Sequence, residues 1–360
     1  MEKDKHLFFR KQLKEWFAQS HRPLPWKGES DPYLIWLSEV ILQQTRVEQG
    51  LPYFERFRER YPTVRDLAKA PQDEVMKLWE GLGYYSRARN LHAAARYIAE
   101  ELEGRFPDTF EGILRLKGVG PYTAAAIASF AYGLPHAVLD GNVFRVLSRF
   151  FGIETPVDTS AGKKEFAELA QQLLDHQDPG NYNQAIMDFG ATQCTPKVPS
   201  CPACPLRMAC TAYQKKKVAN LPIKSKKIEK RQRFFHYLVI SHKGKSLVRK
   251  RTGNDIWQNL YEFPLLELPH LSRDEGEIRK SAVWKMLFSG QEAEVHRISL
   301  PYQQQLTHQK IIAFFWEVGL PPGAALHSGN FLAIDQKNLS KFAFPKIISR
   351  YLNQEQLSLF

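Results

Sequence analysis

All four cysteines of the chain, Cys194, Cys201, Cys204 and Cys210, fall within one 17-residue stretch with the spacing C-x6-C-x2-C-x5-C. Any fold of this chain must therefore wrap that stretch round a common centre. Four thiolates converging on one point hold either zinc or an iron–sulfur cluster. A structural zinc site usually shows two short knuckles, because each presents two ligands from one tight turn. Here only Cys201 and Cys204 form such a pair, and the outer two are spread as if around a larger body. A [4Fe-4S] cubane needs that spread and is the better reading. Random placement does not put every cysteine of so long a chain into one short window. Disulfides are disfavoured, since nothing else in the chain suggests an oxidising compartment.

At 360 residues the chain is long enough for two ordinary domains. Its start, Met1-Glu2-Lys3-Asp4-Lys5, alternates charge with no apolar core behind it and does not read as a secretory signal. No apolar run approaches the roughly 18 residues that cross a bilayer. A soluble protein of a reducing cytoplasm, working as a monomer without a membrane, is expected. The net charge of +12 favours a polyanionic partner, or simply a basic solvated surface. Between Lys215 and Arg233 nine lysines and arginines face one acid, Glu229. This stretch directly follows the cysteines and reads as a linker that lies along phosphates or as a solvated tether.

The two sides of the linker have different grammar. Lys5–Gln19, Tyr33–Gln49, Gln72–Leu82, Ser86–Leu102, Thr123–Tyr132, Asn142–Phe151 and Gly162–Leu174 carry apolar residues at three- and four-residue intervals. Turn signals such as Asp31-Pro32, Ala70-Pro71 and Asp178-Pro179-Gly180 separate them. An all-helical domain over 1–214 is expected. After the linker, Phe234–Ser241, Lys245–Lys250, Val295–Leu300 and Lys310–Val318 read as strands, with a helical stretch near Asp274–Phe288. An α+β domain over 234–350 fits, leaving 351–360 as a tail.

Gly118-Val119-Gly120-Pro121 places two glycines between helices, with Pro121 at a first helical position. Glycines let backbone N–H groups face outward there, and the next helix adds its positive dipole end. Both favour a phosphate oxygen. That is the logic of a helix-hairpin-helix DNA clamp, although many helix–helix turns use glycine with no ligand. Glu39 sits in an apolar helical stretch, where burial would keep a carboxyl protonated near neutral pH. The alternative is an exposed helix face. Asp140 precedes Gly141-Asn142 and could be a plain helix N-cap.

These motifs, with the cysteine spacing, resemble the endonuclease III superfamily of DNA base-excision glycosylases. Trp36–Thr45, Gly81-Leu82-Gly83-Tyr84-Tyr85 and Leu139–Val143 narrow the resemblance to the MutY family of adenine DNA glycosylases, over nearly all of residues 5–210. The family removes adenine mispaired with 8-oxoguanine or guanine from duplex DNA. The resemblance implies that Glu39 protonates adenine, that Asp140 faces the sugar C1′, and that Asn142 steadies Asp140. It implies a helix-hairpin-helix contact through Gly118 and Gly120, with Gln44 and Tyr84 intercalating around the lesion; packing between helices is an equal alternative for Tyr84. Pro23-Leu24-Pro25-Trp26 resembles a motif bordering the adenine pocket. Strand-cleaving relatives place a nucleophilic lysine where this chain has Tyr122, which resembles instead the tyrosine that many members set beside the catalytic glutamate. A phenol forms no imine, so a monofunctional enzyme is expected.

The second domain resembles a Nudix-like domain, carried by Trp257–Pro264. The Asp274–Phe288 stretch lacks the glutamate array that holds Mg²⁺ in working Nudix hydrolases, so binding without hydrolysis is expected. Relatives touch oxidised guanine through a Phe-Ser-His loop. This chain reads Leu306-Thr307-His308, keeping hydroxyl and imidazole but losing the ring. The last residues, Gln356–Phe360, resemble a sliding-clamp-binding pentapeptide on a flexible terminus; a tail folded back on its own domain is the alternative.

Overall fold

The computed structural model describes residues 2–357 apart from His21, 226–229, 289–290, Pro322 and 326–327. The chain packs as two compact units. One comprises Met1–Lys69 with Asn90–Lys227, the other Ala70–Arg89 with Ile228–Phe360. The line drawn from composition, at the cysteines and linker, therefore misses one feature. The segment Ala70–Arg89 packs with the C-terminal sheets.

In chain order the first 214 residues run α1 (Glu2–Gln19), α2 (Pro32–Leu42), α3 (Val47–Arg60), α4 (Val64–Lys69), α5 (Gln72–Leu78) and α6 (Ser86–Glu101). There follow α7 (Phe110–Leu114), α8 (Pro121–Tyr132), α9 (Gly141–Phe151), α10 (Ser160–Leu173), α11 (Pro179–Asp188) and α12 (Thr211–Gln214). The apolar stripes of α1, α8, α9, α10 and α11 meet in one core built on Phe9, Leu13, Ala126, Val143, Leu147, Phe150, Phe166 and Ile186. Phe189 joins that core from a π-helical turn, Phe189–Gln193, that leads straight to Cys194. No helix among the described residues is long and apolar enough to cross a membrane.

The expected helix over Tyr33–Gln49 is in fact two. α2 stops at Leu42, and Gln44 takes a left-handed φ of 56° before α3 begins at Val47. No glycine or proline marks that break, so periodicity ran through it. Likewise the helix expected over Gln72–Leu82 ends at Leu78, ahead of the left-handed Gly81, Gly83 and Tyr84.

The C-terminal part contains β1 (Arg231–Ser241), β2 (Lys245–Lys250), β3 (Tyr261–Glu262), β4 (Leu265–Leu268), α13 (Glu275–Lys280), α14 (Ala282–Phe288), β5 (Glu294–Ile298), β6 (Tyr302–Gln305), β7 (Gln309–Gly319), β8 (Leu332–Asp335) and α15 (Lys346–Leu357). β1 and β7 pair in parallel along their whole length, β4 flanks β1, and β5 and β6 share the far edge of β7. β3, β2 and β8 form a smaller antiparallel sheet. Period-2 alternation gives each face of the large sheet its own partner. Leu238, Ile240, Phe314 and Trp316 pack with α13 and α14, through Ile278, Trp284 and Phe288. Tyr237 stacks on Phe315 from the other face, and Tyr351 of α15 stacks on Phe315 at 4.0 Å. The single helix expected over Asp274–Phe288 breaks at Ser281, whose Oγ accepts from the Trp284 amide and so caps α14. The tail is helical rather than flexible as far as Leu357, and the last three positions of the pentapeptide Gln356–Phe360 lie outside the described residues.

The basic stretch is not a uniform tether. Ser225 donates to Asp158, Val157 N donates to Ile223 O, and Arg149 Nε donates to Leu221 O. At its far end Arg233 is held between Asp255 and Glu267.

Candidate active site

Four elements of the first unit enclose a cavity of about 720 Å³: the turn after α2, the start of α8, the start of α9, and the end of α11. Glu39, Gln44, Tyr122, Asp140 and Asn142 line it, as do Leu24 and Trp26 of the Pro23–Trp26 loop. The sequence therefore placed these residues individually, and the fold brings them to one space.

Glu39 lies on the buried face of α2, flanked by Ile35, Trp36, Val40 and Ile41, with only 8% of its surface exposed. Burial pushes its carboxyl up to about 7, the nearby Asp140 charge adds to the rise, and a hydrogen bond from the Tyr122 phenol opposes it. A half-protonated carboxylic acid at neutral pH is the result. The Tyr122 hydroxyl also lies 3.3 Å from Met187 Sδ, and burial holds its own pKa well above the ordinary phenol value. It stays a neutral donor. Gln43, next to the break in α2, donates to Thr123 Oγ1 at 3.1 Å on α8, while its neighbour Gln44 lines the cavity. A left-handed glutamine is uncommon, and such conformations persist where surrounding structure enforces them.

Asp140 is indeed the N-cap of α9, and it lines the cavity at the same time. Oδ1 accepts from the backbone amides of Asn142 (2.9 Å) and Val143 (2.8 Å), and Oδ2 accepts from Asn142 Nδ2 at 2.7 Å. Burial raises its pKa, and the hydrogen bonds and the Arg145 charge pull against that rise. The helix dipole favours its ionised form as well.

Behind Asn142 stand two buried arginines one turn apart on α9, which the sequence reading did not single out. Arg145 Nη2 donates to Asn142 Oδ1 (2.8 Å) and Gly190 O (2.6 Å), and its Nε donates to Cys194 O at 2.7 Å. Arg149 Nη1 donates to Thr195 O at 2.7 Å and lies 3.4 Å from Cys194 Sγ. Little in the sequence signals them: they share the polar face of α9 with Asn142 and Ser148, opposite the core face of Val143, Val146, Leu147 and Phe150. Asp188 was missed too. It is a buried carboxylate 2.8 Å from Arg22 Nη1 and 3.5 Å from Lys27 Nζ, tying the Trp26 loop to α11.

The cysteines lie near one another beside the helical core. Cys194, Cys204 and Cys210 pack against the helical core while keeping partial exposure, and burial pushes the Cys204 thiol up to about 12, with the charges of Cys194, Cys210 and Cys201 adding to the rise. Among the described residues no three His, Cys, Asp or Glu side chains close on a point as a single ion would require. Four soft donors on one loop, with Arg149 beside Cys194 to offset negative charge, suit a large sulfur-rich group.

At the hairpin, Gly118 has φ 83°, and a Cβ there would stand 2.6 Å from Asn90 Cβ. Only glycine fits. Gly120 caps α8, with Pro121 at its first turn, so the helix's N-terminal amides crown the turn. Tyr84, Thr307 and His308 belong to the other unit. Thr307 and His308 form the turn between β6 and β7, and Thr307 Oγ1 lies 2.7 Å from the Tyr84 hydroxyl.

Comparison with known proteins agrees with this layout. Residues 37–174 match the family model described as HhH-GPD superfamily base excision DNA repair protein, and 236–354 match the NUDIX domain model. The adenine DNA glycosylase of Buchnera aphidicola (Schizaphis graminum) is 37% identical over 260 residues, covering 71% of this chain and 74% of that one. The chain belongs to the adenine DNA glycosylase family. The human adenine DNA glycosylase is 44% identical over 216 residues, 58% of this chain and 40% of its own. Among solved structures, a thermostable thymine-DNA glycosylase superposes with TM-score 0.56 at 31% identity, over 59% of this chain and 99% of its own. An endonuclease III–DNA complex, with TM-score 0.51 and 23% identity, covers 58% of this chain and 95% of its own and shares the fold. This adenine DNA glycosylase thus joins a helical glycosylase domain to a Nudix-like one.

Proposed function

We propose that this glycosylase removes adenine paired with 8-oxoguanine, or with guanine, from duplex DNA by hydrolysis alone, without cutting the strand. The observation that carries the reading is the meeting of a buried, half-protonated Glu39 and a capped Asp140 in one cavity, with Tyr122 where a lyase needs its amine. Flipping adenine into the cavity costs a few kcal/mol of unstacking, and Gln44 and Tyr84 are the side chains assigned to the vacated space. Glu39 gives its proton to the base; the C1′–N bond breaks and its electron pair leaves with adenine. Positive charge develops at C1′, which the Asp140 carboxylate stabilises and then bonds as an acetal. Water displaces that carboxylate from C1′ and returns its second proton to Glu39, restoring both groups. Thr307 and His308 are assigned to the oxidised guanine.

The test is a duplex with adenine opposite 8-oxoguanine, incubated with the protein and divided before alkali treatment. Breaks that appear only after alkali are expected, because alkali cleaves at the abasic sugar. Breaks without alkali would mean a lyase, and none at all would end the reading.

The cysteine loop is assigned a [4Fe-4S] cluster held by Cys194, Cys201, Cys204 and Cys210. When bound, it pins the 194–210 loop and needs no part in the chemistry. The purified protein should be brown, with about four irons per chain by metal analysis. A colourless protein with one zinc would overturn the assignment.

A further inference from the structure

The turn that carries Tyr84 is neither helix nor strand. Gly81, Gly83 and Tyr84 all lie in the left-handed region, at φ 93°, 82° and 47°, and the Tyr84 side chain is 46% exposed. A chain with three such residues in four has no repeating hydrogen bonds to fix it. A non-glycine residue at positive φ persists only where its surroundings impose it. Yet Tyr84 must meet Thr307, a residue 223 positions away in sequence, to within 2.7 Å.

The ties that impose this lie just before and just after the turn. Glu80 Oε1 accepts from Phe344 N (3.1 Å) and from Ser349 Oγ (2.7 Å), and Oε2 meets Lys77 Nζ. Lys77 in turn donates to Phe342 O at 3.0 Å. Phe342, Phe344 and Ser349 belong to the turn before α15 and to its first residues, so Glu80 keys the end of α5 onto the C-terminal helix. Farther back, Asp73 accepts from Tyr261 Oη at 3.0 Å and from Lys250. Beyond Tyr84, Arg89 Nη1 donates to Gln258 O at 2.8 Å. Inside the turn, Trp79 Nε1 and Arg87 Nη2 both donate to Gly83 O, and Tyr85 Oη accepts from Gly81 N.

Among these, Glu80 has a distinct position. It is the last residue before the left-handed run, and one carboxylate oxygen joins two groups of the α15 region. Asp73, Lys77 and Arg89 also make charge-assisted hydrogen bonds, the stronger kind, but Glu80 stands nearest the turn and receives both a backbone and a side-chain donor from the α15 region.

We propose that Glu80 is a positioning residue for lesion recognition: by anchoring α5 to the start of α15 it sets Tyr84 in register with Thr307. The proposal rests on the assignment of Tyr84 and Thr307 to the lesion. It makes Tyr84 and the β6–β7 turn one reading element, although more than two hundred residues separate them. Preference for 8-oxoguanine over guanine then depends on a carboxylate that touches neither base.

The test compares single-turnover excision of adenine opposite 8-oxoguanine and opposite guanine, in wild-type protein, Glu80→Ala, Thr307→Ala and the double variant. Glu80→Ala should lower the preference about fivefold, the equivalent of about 1 kcal/mol of hydrogen bonding, with the rate opposite guanine within about twofold. Thr307→Ala should lower it similarly, and the double variant no further, because both act through one contact. If Glu80→Ala folds poorly, Ser349→Ala removes one of the two donors from the other side and should shift the preference in the same direction by less. Thr307→Ala without effect would remove the assignment of the lesion to that turn. Thr307→Ala with effect and Glu80→Ala without would sink the role of Glu80 alone. Equal losses on both substrates, or losses that multiply in the double variant, would make Glu80 a merely structural residue.

Discussion

Glu39→Gln is expected to lower single-turnover excision by about two to four orders of magnitude while leaving affinity for lesion DNA near that of the wild type. Glutamine has the same shape and fills the same buried position between α2 and the cavity, but it has no proton to give adenine. The wild-type rate should report the same group. With the carboxyl near 7, the competent protonated form is about half populated at neutral pH and falls about tenfold for each further pH unit. Excision should decline accordingly above pH 7. Stability carries the opposite face of this titration. Below the ordinary value of 4.5 the acid is neutral in both folded and unfolded chain, and its burial costs little. Between 4.5 and about 7 the folded state binds the proton more tightly, so raising the pH withdraws stability, by roughly 3 kcal/mol in all. Glu39→Gln lacks that loss, and its unfolding midpoint should gain on the wild type across this window and no further above it. Appreciable turnover in Glu39→Gln, or an excision rate flat from pH 6 to 8, would take the acid role away from Glu39.

Asp140→Asn should be impaired by about two to three orders of magnitude, the usual scale for removing one preorganised electrostatic contact to a transition state. Two separate effects combine. A neutral amide cannot offset positive charge at C1′ or form the acetal. It also disturbs the group behind it. Asp140 Oδ2 accepts from Asn142 Nδ2, and an amide nitrogen placed there would face another donor. Asn142 cannot simply turn over, because its Oδ1 is already the acceptor for Arg145 Nη2. The strain therefore passes to Arg145, which also holds Gly190 O and Cys194 O. Only one contact of the cap is lost, since Oδ1 can still accept from both backbone amides of α9. A thermal melt within a few degrees of wild type, beside a collapsed rate, is the expected pair of results. A rate within tenfold of wild type would mean that Asp140 serves only as the cap of α9.

Much of this was open to inspection in the linear chain, for a physical reason in each case. Periodicity reports which face a helix buries, so α1, α6, α8, α9 and α10 were readable from apolar spacing. Ligand spacing reports how far apart donors on one loop can stand, so the four cysteines could be read as one candidate ligand set. Gly118 was legible from the Gly-x-Gly-Pro turn between two helical patterns, whereas its close approach to Asn90 appears only on folding. Glu39 was legible as a candidate acid from its apolar helical neighbours, although an exposed helix face stayed open until folding buried it. Its elevated pKa comes from burial and from the charge of Asp140, 101 positions away in sequence.

What the sequence did not hold lies in non-local contact. The break at Gln44 carries no glycine or proline; packing of Gln43 onto Thr123 accompanies it, and no local pattern could announce that pairing. Arg145 and Arg149 read as ordinary solvent-facing cations on the polar face of α9 until the carbonyls of the cysteine loop arrive beside them. The segment Ala70–Arg89 reads as one more piece of the helical domain, because its apolar spacing is helical and its neighbours in sequence are helices. Its allegiance to the C-terminal sheets is settled by Asp73, Lys77, Glu80 and Arg89 finding partners between Lys250 and Ser349. Sequence determined the parts and most of the chemistry of this protein, because propensity, periodicity and ligand type act locally. Tertiary structure decided which parts share a site, because desolvation and hydrogen-bond partnership depend on residues that only folding brings together.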